Sequence, residues 1–131
     1  MDAAALYPYR EYHAQRDRDL RRQQEELRLR VLEQARGAIR LSASGFPAIR
    51  AVHLFGSILQ PGRFRPDSDI DVAIDCDDIE METPFWRILE EALERNVDLR
   101  PRVGAVARAV ETSGELSYER EVPGPGTQHP E

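Results

Sequence analysis

The sequence predicts an α+β fold in which helices pack against a small mixed β-sheet. Short segments that alternate large apolar and polar residues, as half-buried strands do, are separated by longer segments with helical periodicity. The chain contains no internal repeat, and 131 residues correspond to a single domain of common size. The order helix, strand, strand, helix, strand, helix therefore favours one modest core formed by the sheet and its helices.

A long N-terminal helix, or two abutting helices, is predicted over residues 11–44, which contain no proline and one glycine. Its two halves differ. An apolar stripe at helical spacing begins at Leu27 and should pack on the core, whereas the first half is almost entirely polar or charged. We therefore expect a polar helical extension over residues 1–26, loosely structured through residues 1–10, and a main domain over residues 27–122.

The remaining elements are separated by glycines, prolines and acidic loops. The predicted elements are strands at 49–55 and 69–75, a helix at 83–96, a strand at 97–99, a helix at 103–114 and an edge strand at 116–122. Thr83 followed by Pro84 is typical of a helix cap and first turn. The final residues, 123–131, are rich in proline and glycine, and we expect them to be a disordered tail.

Composition narrows the functional classes. A net charge of −6 argues against the basic surface that nucleic-acid binding needs, so nucleic acid is not an expected ligand. Cys76 is the single cysteine, which excludes an internal disulfide and a cysteine-rich zinc site. No segment approaches the ~18 apolar residues of a membrane span, and the first residues lack the basic start of a signal peptide. We therefore expect a cytoplasmic protein without a membrane segment.

Asp69 and Asp71 lie two positions apart in a segment whose other residues are apolar. On a strand their side chains would point the same way, roughly 6–7 Å apart along the chain. Two such carboxylates can hold one metal ion or bridge two, and Mg²⁺ suits a site with few carboxylates, retained waters and substrate phosphates. Taken alone, the pair is more typical of the outward face of an ordinary strand than of a metal site, although aspartate is a poor strand former.

Two further features give the pair its weight. Gly56 and Ser57 follow a predicted strand, where the glycine allows a sharp turn and the serine and following amides could hold an anion. Asp98 is another aspartate in an apolar strand, and it would lie beside Asp69 and Asp71 if its strand pairs with theirs. Three adjacent carboxylates repel one another unless a divalent cation is bound. The ordered set therefore predicts a phosphate and metal site.

The sequence Phe55-Gly56-Ser57, followed after ten residues by Ser68-Asp69-Ile70-Asp71, closely resembles the nucleotidyltransferase superfamily shared with DNA polymerase β. Its nearest relatives look like the minimal nucleotidyltransferases, called MNT proteins. The resemblance covers about residues 27–118 and implies the nucleotidyltransferase fold. It implies that Gly56 and Ser57 bind the nucleotide triphosphate, that Asp69 and Asp71 bind magnesium, and that Asp98 activates the attacking hydroxyl and completes the metal site.

The resemblance also implies a reaction and a partner. Nucleoside monophosphate, AMP if the donor is ATP, would pass to an acceptor with two Mg²⁺ ions bound, and pyrophosphate would leave. MNT proteins resemble the antitoxins of HEPN/MNT toxin–antitoxin pairs, in which the acceptor is the toxin; a homo-oligomer formed through the N-terminal helix is the other expected assembly. Small aminoglycoside-modifying transferases differ only in the acceptor.

Two departures from the family pattern lie between the motifs. The spacer from Ser57 to Asp69 is one residue longer than in the familiar minimal form, and Ile58 stands where relatives commonly have an arginine. Arg63 and Arg65 could serve the phosphates instead. The alternative function is therefore a catalytically inactive nucleotidyltransferase-like module that scaffolds or neutralises a partner protein.

Overall fold

The computed structural model describes residues 3–121, with side chains described from residue 8 onward. Within this range the helices are α1 (Ala3–Ala43), α2 (Glu82–Leu93) and α3 (Gly104–Ser113), and the strands are β1 (Ile49–Phe55), β2 (Ile70–Cys76), β3 (Val97–Pro101) and β4 (Glu115–Glu119). Short 3-10 turns follow β1, at Gly56–Leu59, and precede α2, at Ile79–Met81. The predicted tail at 123–131 lies outside the described residues.

The four strands form one mixed sheet in the order β3-β2-β1-β4, as expected for the α+β class. β1 pairs antiparallel with both β2 and β4, and β2 pairs parallel with β3. The parallel pair follows from the connection, because α2 carries the chain back so that β3 runs in the direction of β2. This crossover places the ends of β2 and β3 side by side, which matters for the site below.

The hydrophobic core lies between one face of the sheet and the helices α1 and α2, which contact each other. Alternate residues of β1 and β2 supply the sheet's side of it, among them Leu54 and Val72, both fully buried. The apolar stripe of α1 supplies the other side from Leu27 onward. α3 packs against β1, β2 and the turn between them, and Val110 is its buried residue.

The N-terminal helix is longer than predicted. α1 is one continuous helix that begins at Ala3 and includes Pro8, so the expectation of a loose segment is wrong for residues 3–10, and residues 1 and 2 lie outside the described residues. Proline already has the φ angle of a helix and costs mainly one hydrogen bond, which matters least near a helix start. The alanines that precede it have the highest helix propensity of any residue.

Other boundaries differ from the prediction by a few residues. β2 begins at Ile70, so Asp69 precedes the strand. α2 begins at Glu82 after Met81, without a side-chain cap, so the predicted Thr83 cap is wrong. α2 ends at Leu93 because Glu94 adopts a left-handed conformation, with φ 49°, which terminates a helix. None of the described helices is both long and apolar enough to traverse a lipid bilayer.

Candidate active site

Two aspartates stand opposite each other on the parallel strands β2 and β3. Asp71 is in register with Asp98, and side chains at paired positions of neighbouring strands point to the same face of the sheet. This face is the one away from α1 and α2, because the next residue along β2, Val72, packs into the core. Asp71 is partly buried, and Asp98 keeps 36% of its side chain exposed.

Asp69 lies one residue before β2 and is exposed. The loop that leads to it is held by Arg95, whose Nη1 donates to the carbonyl oxygens of Pro66 at 2.7 Å and Ser68 at 3.0 Å. The Arg95 guanidinium also lies 5.0 Å from the centre of the Phe64 ring, a cation–π distance. These contacts fix the entry into β2 and therefore the place of Asp69 beside the paired carboxylates.

The electrostatics of Asp71 show that the three carboxylates act on one another. Burial raises the pKa of Asp71 above that of an ordinary aspartate, and the negative charges of Asp98 and then Asp69 raise it further. Arg100 lowers it in part. The site therefore holds more negative charge than its own residues neutralise, and a bound cation would offset this excess.

Gly56 lies directly against Asp71. Its φ of 78° is in the left-handed region that favours glycine, and a Cβ added there would overlap the Asp71 carboxylate. The register explains the contact, because Phe55, the last residue of β1, pairs with Asp71. The glycine predicted for nucleotide binding and an aspartate predicted for metal binding thus share one surface.

Ser57 occupies the first turn after β1 and is partly buried. Its carbonyl oxygen accepts a hydrogen bond from the amide of Gln60 at 3.0 Å, which closes the 3-10 turn. The next residue, Ile58, is fully buried and anchors the turn in the core. The position where relatives commonly carry an arginine therefore contributes packing here and not charge.

Arg65 does not point freely into this site. Its Nη1 donates to the Gly62 carbonyl at 3.0 Å and to the Gln24 side chain at 3.3 Å, which directs it towards α1. Arg63 is exposed on the same loop. Among the described residues, neither arginine side chain forms a hydrogen bond or ion pair with Gly56 or Ser57.

The site contains a residue that the sequence reasoning missed. Arg100 lies two positions after Asp98 on β3, and its Nε donates to Asp98 Oδ1 at 3.1 Å. Alternation along β3 was the available signal, because residues two apart on a strand share a face. Arg100 thus binds Oδ1 of Asp98 and sets the direction in which Asp98 points.

The donor set fits a divalent cation that arrives with a nucleotide. No three His, Cys, Asp or Glu side chains among the described residues converge closely enough to hold a metal by themselves. Mg²⁺ in nucleotide sites needs only one or two carboxylates, because water and substrate phosphates complete its shell. Asp71, with its raised pKa and a neighbouring carboxylate on either side, supplies that minimum.

Comparison with known proteins places this arrangement in a family. The family model described as polymerase beta, nucleotidyltransferase, matches residues 38–121, a range that contains the Gly56 turn and all three aspartates. No curated protein matches the chain.

Several solved structures have a similar fold. A toxin–antitoxin structure with AMP-PNP is 28% identical, with a TM-score of 0.51, and the match covers 62% of this chain and 69% of that chain. A variant of the MntA–HpeT toxin–antitoxin pair is 25% identical, with a TM-score of 0.50 and the same coverage. A tri-AMPylated Shewanella oneidensis HEPN toxin in complex with MNT antitoxin is 24% identical, with a TM-score of 0.49, and the match covers 69% and 73% of the two chains.

The family model covers more than half of the chain, and the fold it implies is the one described above. The predicted resemblance to minimal nucleotidyltransferases is confirmed by neighbours that include the MntA antitoxin. This chain therefore belongs to the polymerase β-type nucleotidyltransferase family.

Proposed function

We propose that this chain is a magnesium-dependent nucleotidyltransferase that transfers AMP from ATP to a partner protein, the HEPN-type toxin of a toxin–antitoxin pair. The observation that carries the proposal is the pair Asp71 and Asp98, which are in register on neighbouring strands, with Asp71 in contact with Gly56. Carboxylates beside a phosphate-sized turn are the arrangement that nucleotidyl transfer requires.

The choice of ATP as the nucleotide donor is supported by a similar solved structure and by the Gly56 turn. A structural neighbour was solved with AMP-PNP, an analogue of ATP. In this chain Gly56 and Ser57 form the turn directly after β1, and Gly56 lies against the Asp71 carboxylate. A triphosphate at this turn would therefore lie beside a cation held by that carboxylate. We assign the triphosphate to this turn and the metal to Asp69, Asp71 and Asp98.

Other observations support the choice of a toxin as the partner protein. Several of the similar solved structures are toxin–antitoxin structures, among them the MntA–HpeT pair and the one with AMP-PNP. The first half of α1 presents exposed apolar side chains on an otherwise polar helix: Tyr9, Tyr12 and Leu20. We assign this surface, which we call the α1 extension (residues 8–26), to contact with the toxin or with a second copy of the chain. A net charge of −6 makes nucleic acid a poor acceptor.

In the reaction, the acceptor hydroxyl attacks the α-phosphorus of ATP, a new oxygen–phosphorus bond forms, and the bond to pyrophosphate breaks. Magnesium supplies charge neutralisation for the phosphates and the departing pyrophosphate. Asp98 accepts the hydroxyl proton at Oδ2, because Oδ1 is bound to Arg100. Asp69 and Asp71, together with Asp98, would hold the cation, and the Gly56 turn would orient the triphosphate in line with the acceptor.

The experiment is label transfer to a co-purified partner from ATP labelled on the α-phosphate. We expect the partner to become labelled, and the double change Asp69→Ala with Asp71→Ala to abolish labelling. Asp77→Ala is the matched control, since Asp77 is an exposed aspartate that pairs with Arg50 and Arg120 outside the site. ATP labelled on the γ-phosphate should transfer nothing; transfer from it, or labelling that survives the double change, contradicts the proposal.

A second candidate is the inactive module that only binds its partner. Ile58 favours this candidate, because the position after Ser57 carries a fully buried isoleucine where the family resemblance implies an arginine. Arg65 does not substitute for that arginine, since its side chain is directed towards Gln24. The melting temperature separates the two candidates. A ligand at 100 times its Kd stabilises a fold by about 2.7 kcal/mol, so ATP with Mg²⁺ should raise the melting temperature of the enzyme and leave that of the inactive module unchanged.

A further inference from the structure

Among the described residues, Arg28 is a charged residue whose side chain is buried, with 7% of its surface exposed. It lies on α1 next to Leu27, where the helix first meets the core. An unpaired buried guanidinium costs several kcal/mol, so it persists only where its donors are satisfied. The hydrogen-bond partners of Arg28 therefore indicate its structural role.

The guanidinium joins two partners that are 33 positions apart in sequence. Nε donates to both carboxylate oxygens of Glu25 at 3.0 Å. Nη1 donates to the backbone carbonyl of Ile58 at 2.9 Å, a buried hydrogen bond. The pair with Glu25 lowers the pKa of that carboxyl and keeps the guanidinium oriented, because a fork of two parallel bonds fixes its plane.

Ile58 belongs to the turn that carries Ser57. A short helical turn leaves its last carbonyls without partners inside the turn. Ser57 has its own partner, the amide of Gln60. The carbonyl of Ile58 is satisfied from outside the turn, by Arg28, while the Ile58 side chain is fixed in the core. The turn is thus pinned from α1 at the residue after Ser57.

We propose that Arg28 is a positioning residue that holds the Gly56–Leu59 turn in the geometry that receives the triphosphate, an inference that rests on the proposed function. Arg28 does not touch the nucleotide. It acts through the Ile58 carbonyl, and Glu25 orients it. Because Glu25 is at the boundary of the α1 extension, the same contact links the surface assigned to the partner with the turn assigned to the nucleotide.

The experiment compares Arg28→Met with Arg36→Met in the full chain. Arg36 is the matched control, since it also lies on α1 and forms ion pairs with Glu33 and Glu115 but none with the turn. Hydrogen exchange of the amides at 57–60 is measured without nucleotide, and ATP binding is measured with Mg²⁺ at equal fractions folded. We expect Arg28→Met alone to speed exchange in the turn and to weaken ATP binding roughly tenfold, which corresponds to about 1.4 kcal/mol.

Arg28→Lys tests the role without a large loss of packing. A lysine can reach one acceptor but lacks the planar fork, so we expect ATP affinity between those of the wild type and Arg28→Met. Exchange in the turn and ATP binding equal to those of Arg36→Met would overturn the inference while the wild type still binds ATP. A wild-type chain that binds no ATP would overturn the proposed function, and with it any role of Arg28 beyond packing.

Discussion

Gly56 and Asp71 constrain each other at the centre of the site. The glycine cannot carry a side chain, because a Cβ would occupy the space of the Asp71 carboxylate. Asp71 lies on the same face of the sheet as Asp98, and its carboxylate is partly removed from water. Arg100 offsets only part of the resulting cost, so the pKa of Asp71 stays raised. Both residues therefore occupy positions that reduce stability for the sake of an open, charged surface.

The change Asp71→Asn should stabilise the free protein. It removes the repulsion with Asp98 and Asp69 and the cost of a partly buried charge, effects that raise the pKa of Asp71. Because the side chain keeps part of its hydration, we expect a gain of no more than about 1 kcal/mol, or about 4 °C in melting temperature. Thermal unfolding in metal-free buffer measures it.

Asp75→Asn is the control on the same strand. Asp75 is 12% exposed and accepts from Arg102 Nε and Nη2 at 2.8–3.1 Å, so loss of its charge should destabilise by about 1.5–3 kcal/mol. If Asp71→Asn destabilised the fold as Asp75→Asn does, the repulsion inferred at Asp71 would be absent.

Among the elements, α1 makes the longest-range connections. Arg36 Nε donates to Glu115 Oε2 at 2.8 Å and thereby joins the helix to the edge strand β4. The hydrogen bonds from Arg36 lower the pKa of Glu115 below its usual value. The contact links positions 79 apart in the chain, so it contributes only in the folded state.

This pair predicts how stability depends on pH. A carboxyl whose pKa is lowered by folding binds its proton more tightly in the unfolded chain, so its stabilisation is present above the ordinary glutamate pKa of about 4.3 and is lost as the pH falls below it. We expect urea unfolding of Arg36→Met to show a weaker loss of stability than the wild type over that acidic range. An identical slope in both proteins would show that the pair does not contribute.

The elements were largely predictable from the sequence, and the reasons for the exceptions are physical. Alternation marked β1 and β2, and helical spacing marked α1 from Leu27 onward, because both patterns report a buried face. The predicted helix begins at residue 11, after Pro8, because proline usually interrupts a helix. α1 nevertheless includes Pro8, since proline is tolerated near a helix start. The predicted β2 includes Asp69, one residue before the observed start at Ile70, because a local pattern does not resolve where strand pairing begins.

The site was predictable in its residues and only partly in its contacts. Order along the chain suggested that Asp98 joins the other aspartates, and the parallel pairing of β2 with β3 places it beside Asp71. The contact of Arg28 with Ile58 could not be predicted, since it spans 30 positions and joins a side chain to a backbone carbonyl. The roles of Gly56, Ser57 and the three aspartates stay predictions until transfer is measured.

At the scale of the whole molecule, the described residues comprise a packed region and the α1 extension, which contributes no residue to the core. Core contacts of α1 begin at Leu27, although the helix is continuous from Ala3. Between residues 26 and 27 the helix passes from solvent-exposed to core-packed, without a break in the backbone. A domain boundary at this point stays a prediction.

Removal of residues 1–22 tests this division and keeps both Glu25 and Gln24 in place. We expect the truncated chain to unfold cooperatively, with a melting temperature within a few degrees of the full chain's, because no core residue is lost. We expect association with the partner, measured by sedimentation, to weaken strongly. Unchanged association would move the interaction surface away from the α1 extension.

β3 is an edge strand, which bears on the way an acceptor reaches Asp98. Asp98 lies on this edge strand with 36% of its side chain exposed, so an acceptor can approach it from the rim of the sheet. In the proposed reaction, selectivity then comes from tethering. A partner bound to α1 keeps its acceptor hydroxyl near the rim at an effective concentration on the order of millimolar. A small transferase of this kind would modify whatever its docking surface retains, and a change of docking surface would redirect it without altering a single catalytic residue.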